Sequence, residues 1–76
     1  MKQFDRITIN PGVVNGQPCI KDTRITVKRV VEAVALYQNW DKVIEEYPGL
    51  TVNDIIQSLE WAATSINDET ITLDVA

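Results

Sequence analysis

Residues 47–55 read Tyr47-Pro48-Gly49-Leu50-Thr51-Val52-Asn53-Asp54-Ile55. Pro48-Gly49 stops one helix, because proline lacks an amide hydrogen and glycine takes the backbone conformations that end helices. Thr51 can then cap a new helix, with Asp54 reaching back three positions on, a capping box with aspartate in place of the preferred glutamate. On both sides of this junction the apolar residues fall at helical spacing. Upstream, Asn39 caps a short helix with Trp40, Val43, Ile44 and Tyr47 at i, i+3, i+4 and i+7. Further upstream, Thr26 caps a helix with Val27, Val30, Val31 and Val34 on one face and Lys28, Arg29 and Glu32 on the other, fading near Tyr37-Gln38. Downstream, Val52, Ile55, Ile56, Leu59, Ala62, Ala63 and Ile66 form one stripe, the expected core face, with Asn53, Asp54, Gln57, Glu60, Trp61 and Thr64 opposite.

The reading that follows is a mainly α fold. Residues 27–66 form a three-helix bundle whose second and third helices have helix-turn-helix spacing. Residues 4–26 are an extended element of short strands and turns. Ile7 and Ile9 alternate with Thr8 as a strand does, and Cys19-Ile20 and Arg24-Ile25 are further short pieces. Asn10-Pro11-Gly12, Asn15-Gly16 and Lys21-Asp22 are turns. Residues 67–76 form a tail in which Thr70-Ile71-Thr72-Leu73-Asp74-Val75 alternates like a short C-terminal strand. At 76 residues the chain has room for one domain, 1–76, without repeats or low-complexity tracts. Domains of this size gain stability from a partner subunit.

Composition narrows the functional classes. The single cysteine, Cys19, rules out an internal disulfide and a thiolate metal cage, and fits a reducing cytoplasm. No apolar run resembles a signal peptide or a membrane span, so a cytoplasmic protein with no membrane contact is expected. Histidine is absent, which leaves Cys19 without an activating base. Glycine numbers three, too few for a phosphate-cradling loop. Catalysis and a cofactor are therefore not expected.

Charge is unevenly placed. Through Arg29 the cations Lys2, Arg6, Lys21, Arg24, Lys28 and Arg29 face only Asp5 and Asp22, a net +4, whereas from Val30 onward Lys42 is alone against nine acids, a net −8. An acidic chain is a poor nonspecific nucleic-acid binder, but a dimer gathering its basic segments on one face would present a local patch. Lys21, Thr23 and Arg24 could hold a phosphate, with Lys28 and Arg29 close behind them. On the third helix Asn53 and Gln57 could read adenine edges, although that helix brings no lysine or arginine to anchor the backbone. Ile7, Ile9, Ile20 and Ile25 are the apolar positions through which short strands would pair with a second subunit. Trp61, opposite the apolar stripe, needs a cover from this chain or another.

Ile9-Asn10-Pro11, the run Gly16-Gln17-Pro18-Cys19-Ile20-Lys21-Asp22-Thr23-Arg24-Ile25-Thr26-Val27 and the run from Tyr47 to Ile55 occur in that order. Together they resemble the bacterial domain-of-unknown-function family 433, over about Asp5 to Ala63. One position departs from the family pattern: Asp22 stands where glycine is usual, and aspartate tolerates left-handed backbone better than most residues. The resemblance implies a homeodomain-like helix-turn-helix with a small β element ahead of it. It also implies an antitoxin of a toxin–antitoxin pair, a homodimer that binds a PIN-like ribonuclease toxin and operator DNA. A non-catalytic protein-interaction module that binds no DNA is the alternative. The first reading expects contacts to DNA from Lys21, Thr23, Arg24, Lys28, Arg29, Asn53 and Gln57, and to a partner from Ile7, Ile9, Ile20, Ile25 and Trp61.

Overall fold

The structure is a computed structural model and describes residues 4–66. The chain forms strand β1 (Ile7–Thr8), strand β2 (Cys19–Ile20) and helices α1 (Val27–Tyr37), α2 (Trp40–Glu46) and α3 (Val52–Ser65). The fold is mainly α, with a two-stranded antiparallel sheet ahead of three helices, as the sequence leads one to expect. The expected C-terminal strand lies outside the described residues.

All three helix starts use the side chains expected of them. Thr26 accepts from the Arg29 amide at 3.0 Å and Asn39 from the Lys42 amide at 3.1 Å. Thr51 and Asp54 complete a reciprocal capping box, the Thr51 amide donating to Asp54 Oδ2 and the Asp54 amide to Thr51 Oγ1. α1 ends where Gln38 turns left-handed, at φ 54°.

In the sheet Ile7 stands opposite Ile20 and Thr8 opposite Cys19. A ladder this short has little stability of its own. It persists because Ile7 and Ile20 bury their side chains within the same chain. The link into α1 is fixed by backbone bonds, Ile20 N–H donating to the Ile25 carbonyl and Val27 N–H to that of Pro18, both at 2.9 Å. Arg24-Ile25 is not the expected strand. The chain there leaves a tight turn, closed by Thr23 N–H to the Ile20 carbonyl, and regains one isolated bridge at Thr26, opposite Cys19. Asp22 in that turn has φ 61°, the left-handed geometry for which glycine is better suited.

The core gathers Ile20, Val30, Ala33, Val43, Leu50 and Ile55, with Ile25, Val34, Tyr37, Ile44, Tyr47 and Leu59 packed around it. α1 buries Val27, Val30 and Ala33 and leaves Lys28, Arg29 and Glu32 outside, as its spacing predicts. α3 departs from its expected seating. Its buried residues are Asp54, Ile55, Gln57 and Ser58, while Val52 and Ile56, both 42% exposed, point outward. The expected apolar stripe therefore splits: Ile55 and Leu59 face the core, and Val52, Ile56, Ala63 and Ile66 do not.

Candidate interaction surfaces

The rotation of α3 has a polar cause. The segment ahead of β1 lies on the face of α3 that hydropathy assigns to solvent, and hydrogen bonds replace the water lost there. Arg6 Nε donates to Asp54 Oδ1 at 2.6 Å, an ion pair in which the aspartate is fully buried. The Arg6 amide donates to Gln57 Oε1 at 3.0 Å, and Gln57 Nε2 donates to Asp5 Oδ1 at 2.7 Å. Ser58 Oγ donates one turn back to the Asp54 carbonyl at 2.8 Å. Buried polar groups are tolerated when every one is paired, and among the described residues no buried side-chain N or O lacks a partner. Burial pushes the Asp54 carboxyl up, but the Arg6 and Thr51 hydrogen bonds and the Arg6 charge outweigh it and hold the group below its ordinary value. The same contacts raise Arg6. Beyond the clasp, Phe4 meets Trp61 edge to face, with ring centroids 5.2 Å apart and planes at 80°. This chain thus supplies part of the cover that Trp61 requires.

These contacts redistribute the residues expected to bind. Gln57 is not available to DNA, since both ends of its amide are held by Asp5 and Arg6. Asn53 remains exposed on α3 without it. Thr23 turns inward: its hydroxyl donates its one proton to the Ile20 carbonyl at 2.8 Å and accepts from the Ile25 amide at 3.0 Å, so it shapes the turn rather than a phosphate site. Lys21, Arg24, Lys28 and Arg29 are all exposed. Lys21 and Arg24 border an open depression of about 700 Å³ that Asp22 also lines. Arg24 and Arg29 border a smaller one, of about 230 Å³, next to Tyr47. The Tyr47 hydroxyl, by hydrogen bonding first, raises Arg29 further above its ordinary value. Burial, followed by the Glu46 charge, raises the Tyr37 phenol on the neighbouring flank.

The expected dimer contacts are corrected in the same way. Ile7 and Ile20 are buried in this chain, and Ile25 packs against its core, so none of the three offers a free surface to a second subunit. They are covered because the two strands fold onto their own helices. Ile9 differs, being 56% exposed beyond the end of β1. Trp61 is half-buried and lines a groove of about 340 Å³ with Val27, Val31, Ala62 and Ile66, where Lys28 and Glu32 stand at the rim.

Sequence reasoning missed the clasp and the apolar outer face of α3. The pairing of Arg6 with Asp54, 48 positions apart, leaves no periodic trace in the chain. The outer face was legible as a subset of the stripe: Val52, Ile56 and Ala63 recur at intervals of four and seven. At 3.6 residues per turn they fall within about 40° of arc.

Among the described residues no group of three His, Cys, Asp or Glu side chains could hold a metal ion, and no helix is long and apolar enough to cross a membrane. Comparison with curated proteins gives no significant match. Among solved structures the chain is similar to a DUF433 member protein from Anabaena variabilis. The two are 31% identical, with a TM-score of 0.74 over 80% of this chain and 60% of that one. This chain thus spans less than two thirds of the Anabaena protein's length. The model of the family described as "Protein of unknown function (DUF433)" matches residues 7–62, a span that runs from the first residue of β1 into the last turn of α3; the chain belongs to that family.

Proposed function

We propose that this chain is a non-catalytic protein-binding module of the antitoxin kind, which acts by seating the outer face of α3 on a partner protein such as a PIN-like ribonuclease. One observation carries the reading: α3 buries Asp54, Gln57 and Ser58 while Val52, Ile56 and Ala63 are exposed. A recognition helix for DNA presents hydrogen-bonding and cationic groups to the groove. Here Gln57 and Asp54 are engaged by Asp5 and Arg6, and Val52 and Ile56 face out. Exposed apolar rows at helical spacing are what helix-in-groove contacts between proteins use.

Operator DNA is a second ligand in this proposal, supported by the four exposed cations Lys21, Arg24, Lys28 and Arg29. Contacts of that kind position a protein on phosphate without reading sequence. A regulator with these two ligands works in the cytoplasm.

The test is coexpression of the chain with the product of the adjacent reading frame. A complex that survives 0.5 M salt and is lost on Ile56→Glu is the expected result. A complex indifferent to Ile56→Glu and Ala63→Glu, in variants that fold normally, overturns the assignment to α3. A promoter fragment should shift at low salt, and the shift should weaken when Arg24, Lys28 and Arg29 are neutralised together. An unshifted fragment removes the DNA half alone.

A further inference from the structure

We propose that residues 67–76 close back over the groove between α1 and α3, an intramolecular cover that hides Trp61 and Lys28 until a ligand displaces it. The groove holds about 340 Å³, with Val31, Trp61, Ala62 and Ile66 on its floor and Lys28 and Glu32 at its rim. Phe4 meets the Trp61 ring but leaves it half-buried, and Ile66 is 65% exposed. An apolar floor of this kind gains by being covered. This is not the face that Val52, Ile56 and Ala63 present. Trp61, Ala62 and Ser65 stand roughly 150° around α3 from those three, so the cover is independent of the reading of α3 as a docking surface.

The chain beyond the helix fits this groove in position and pattern. α3 ends at Ser65, and Ile66, itself part of the groove, is extended at φ −89° and ψ 128°. The chain therefore leaves the helix at the groove. Asn67-Asp68 follows, a pair suited to reversing direction, since both side chains bond to nearby backbone and tolerate left-handed conformations. From Trp61 to Ile66 the groove covers about 7.5 Å of helix axis. Extended chain advances about 3.3 Å per residue, so residues 70–73 alone cross it. Ile71, Leu73 and Val75 alternate with Thr70, Thr72 and Asp74. An extended segment with that alternation turns its aliphatic side chains to one side, here onto the apolar floor, and its polar ones to water.

Charge sets the register. Among the described residues Lys28 is in no ion pair. Asp68 and Glu69 are the first charged residues after Ile66, and they come to Lys28 at the start of the crossing. Residues 70–73 are uncharged, which lets them pass Glu32 without repulsion. The consequence is a regulatory contact. Lys28 is one of the four cations assigned to phosphate above, and two carboxylates beside it cancel that role. A ligand that takes the apolar row of residues 71–75 for itself frees the groove and the cation together. This consequence rests on the DNA part of the proposed function, whereas the cover itself does not.

Nuclear magnetic resonance of the full chain tests the cover. Its two tryptophans, Trp40 and Trp61, give two indole N–H signals, told apart by Trp40→Phe, or by Trp40→Tyr if the first variant melts early. Nuclear Overhauser contacts should join the Trp61 ring to the methyl groups of Ile71 and Leu73. Ile71→Gln with Leu73→Gln should remove them and move the Trp61 signal. Thr70→Gln with Thr72→Gln, on the other side of the segment, should change neither. Absence of the contacts overturns the proposal, as do contacts from Trp61 to Met1 in their place, or contacts seen only between a labelled and an unlabelled chain. Equal effects from the two pairs of substitutions overturn it too. The consequence has its own readout: Asp68→Asn with Glu69→Gln should tighten the low-salt promoter shift about threefold or more. A shift equal in wild type and variant overturns the shielding of Lys28. A promoter that never shifts removes the DNA half of the proposed function and leaves the cover standing on the ring contacts.

Discussion

α1 and α3 are both amphipathic by sequence, yet only α1 is seated as its sequence suggests. α1 lies among apolar neighbours, and its valines turn inward while Lys28, Arg29 and Glu32 turn out. α3 has apolar neighbours on one flank and the peptide of residues 5–6 on the other. That second neighbour brings a guanidinium, an amide and a carboxylate, and these draw Asp54 and Gln57 inward. Hydropathy ranks residues by the cost of leaving water. A residue met by a matched partner no longer incurs that cost, so the ranking holds for α1 and fails for half of α3.

The largest test of this contrast is Asp54→Ala. Were α3 seated with Asp54 outward, the substitution would remove only a cap, about 1 kcal/mol. With Asp54 buried, it also removes the acceptor of the ion pair and leaves a cavity. A loss of about 3 kcal/mol is then expected, by the usual magnitude for breaking a buried charged contact. For a domain of this length that lowers the melting midpoint by roughly 12–24 °C, readable by circular dichroism. A loss of under about 1 kcal/mol would show that the clasp is not closed in solution.

Acid should sharpen the same point. The folded state holds the Asp54 carboxyl below its ordinary value of 3.8, so the fold binds that proton less readily than the unfolded chain does. Its contribution is complete above that ordinary value and disappears as pH falls through the lowered one. Other carboxylates titrate in the same range, so the informative quantity is the difference from Asp54→Asn. The wild-type protein should be the more stable at pH 7, and the gap should narrow toward pH 3. A gap independent of pH would mean that Asp54 acts by shape alone.

Gln57→Ala comes next, with an expected loss of about 1–2 kcal/mol, because it removes both bonds to residues 5–6 and leaves the Arg6 amide without its acceptor. Hydrogen exchange offers the sharper reading, since the Arg6 amide should lose protection while that of Val30, deep in α1, keeps it.

The parts of the molecule that were legible in advance are governed by near neighbours in the chain. Thr26, Asn39 and Thr51 cap their helices through residues three positions on. Pro48-Gly49 ends α2, and Asp22 takes the left-handed turn. The parts that were not legible depend on contacts across 48 to 52 positions, at Arg6–Asp54 and Asp5–Gln57. These contacts decide which residues are available to bind. Gln57 and the isoleucines of β1 and β2 looked free because nothing nearby in sequence claims them. Lys21, Arg24, Lys28 and Arg29 are exposed, as charged side chains tend to be whatever the fold does around them.

The smallest expected effect is the one that most cleanly separates the two faces of α3. Val52→Gln with Ile56→Gln changes two apolar residues of the helix, which on the hydropathy reading of the stripe would cost as much as any core substitution, about 2–5 kcal/mol. Both side chains are 42% exposed, so the fold should barely notice, with a change within about 0.5 kcal/mol. Glutamine is a better helix former than valine or isoleucine, so a weakened association with the partner protein would not come from a weakened helix. An unchanged melting curve with association weakened places these residues at a surface used for binding. A melting midpoint lowered as far as that of Asp54→Ala would return them to the core, and with them the seating of α3 that its sequence pattern alone suggests.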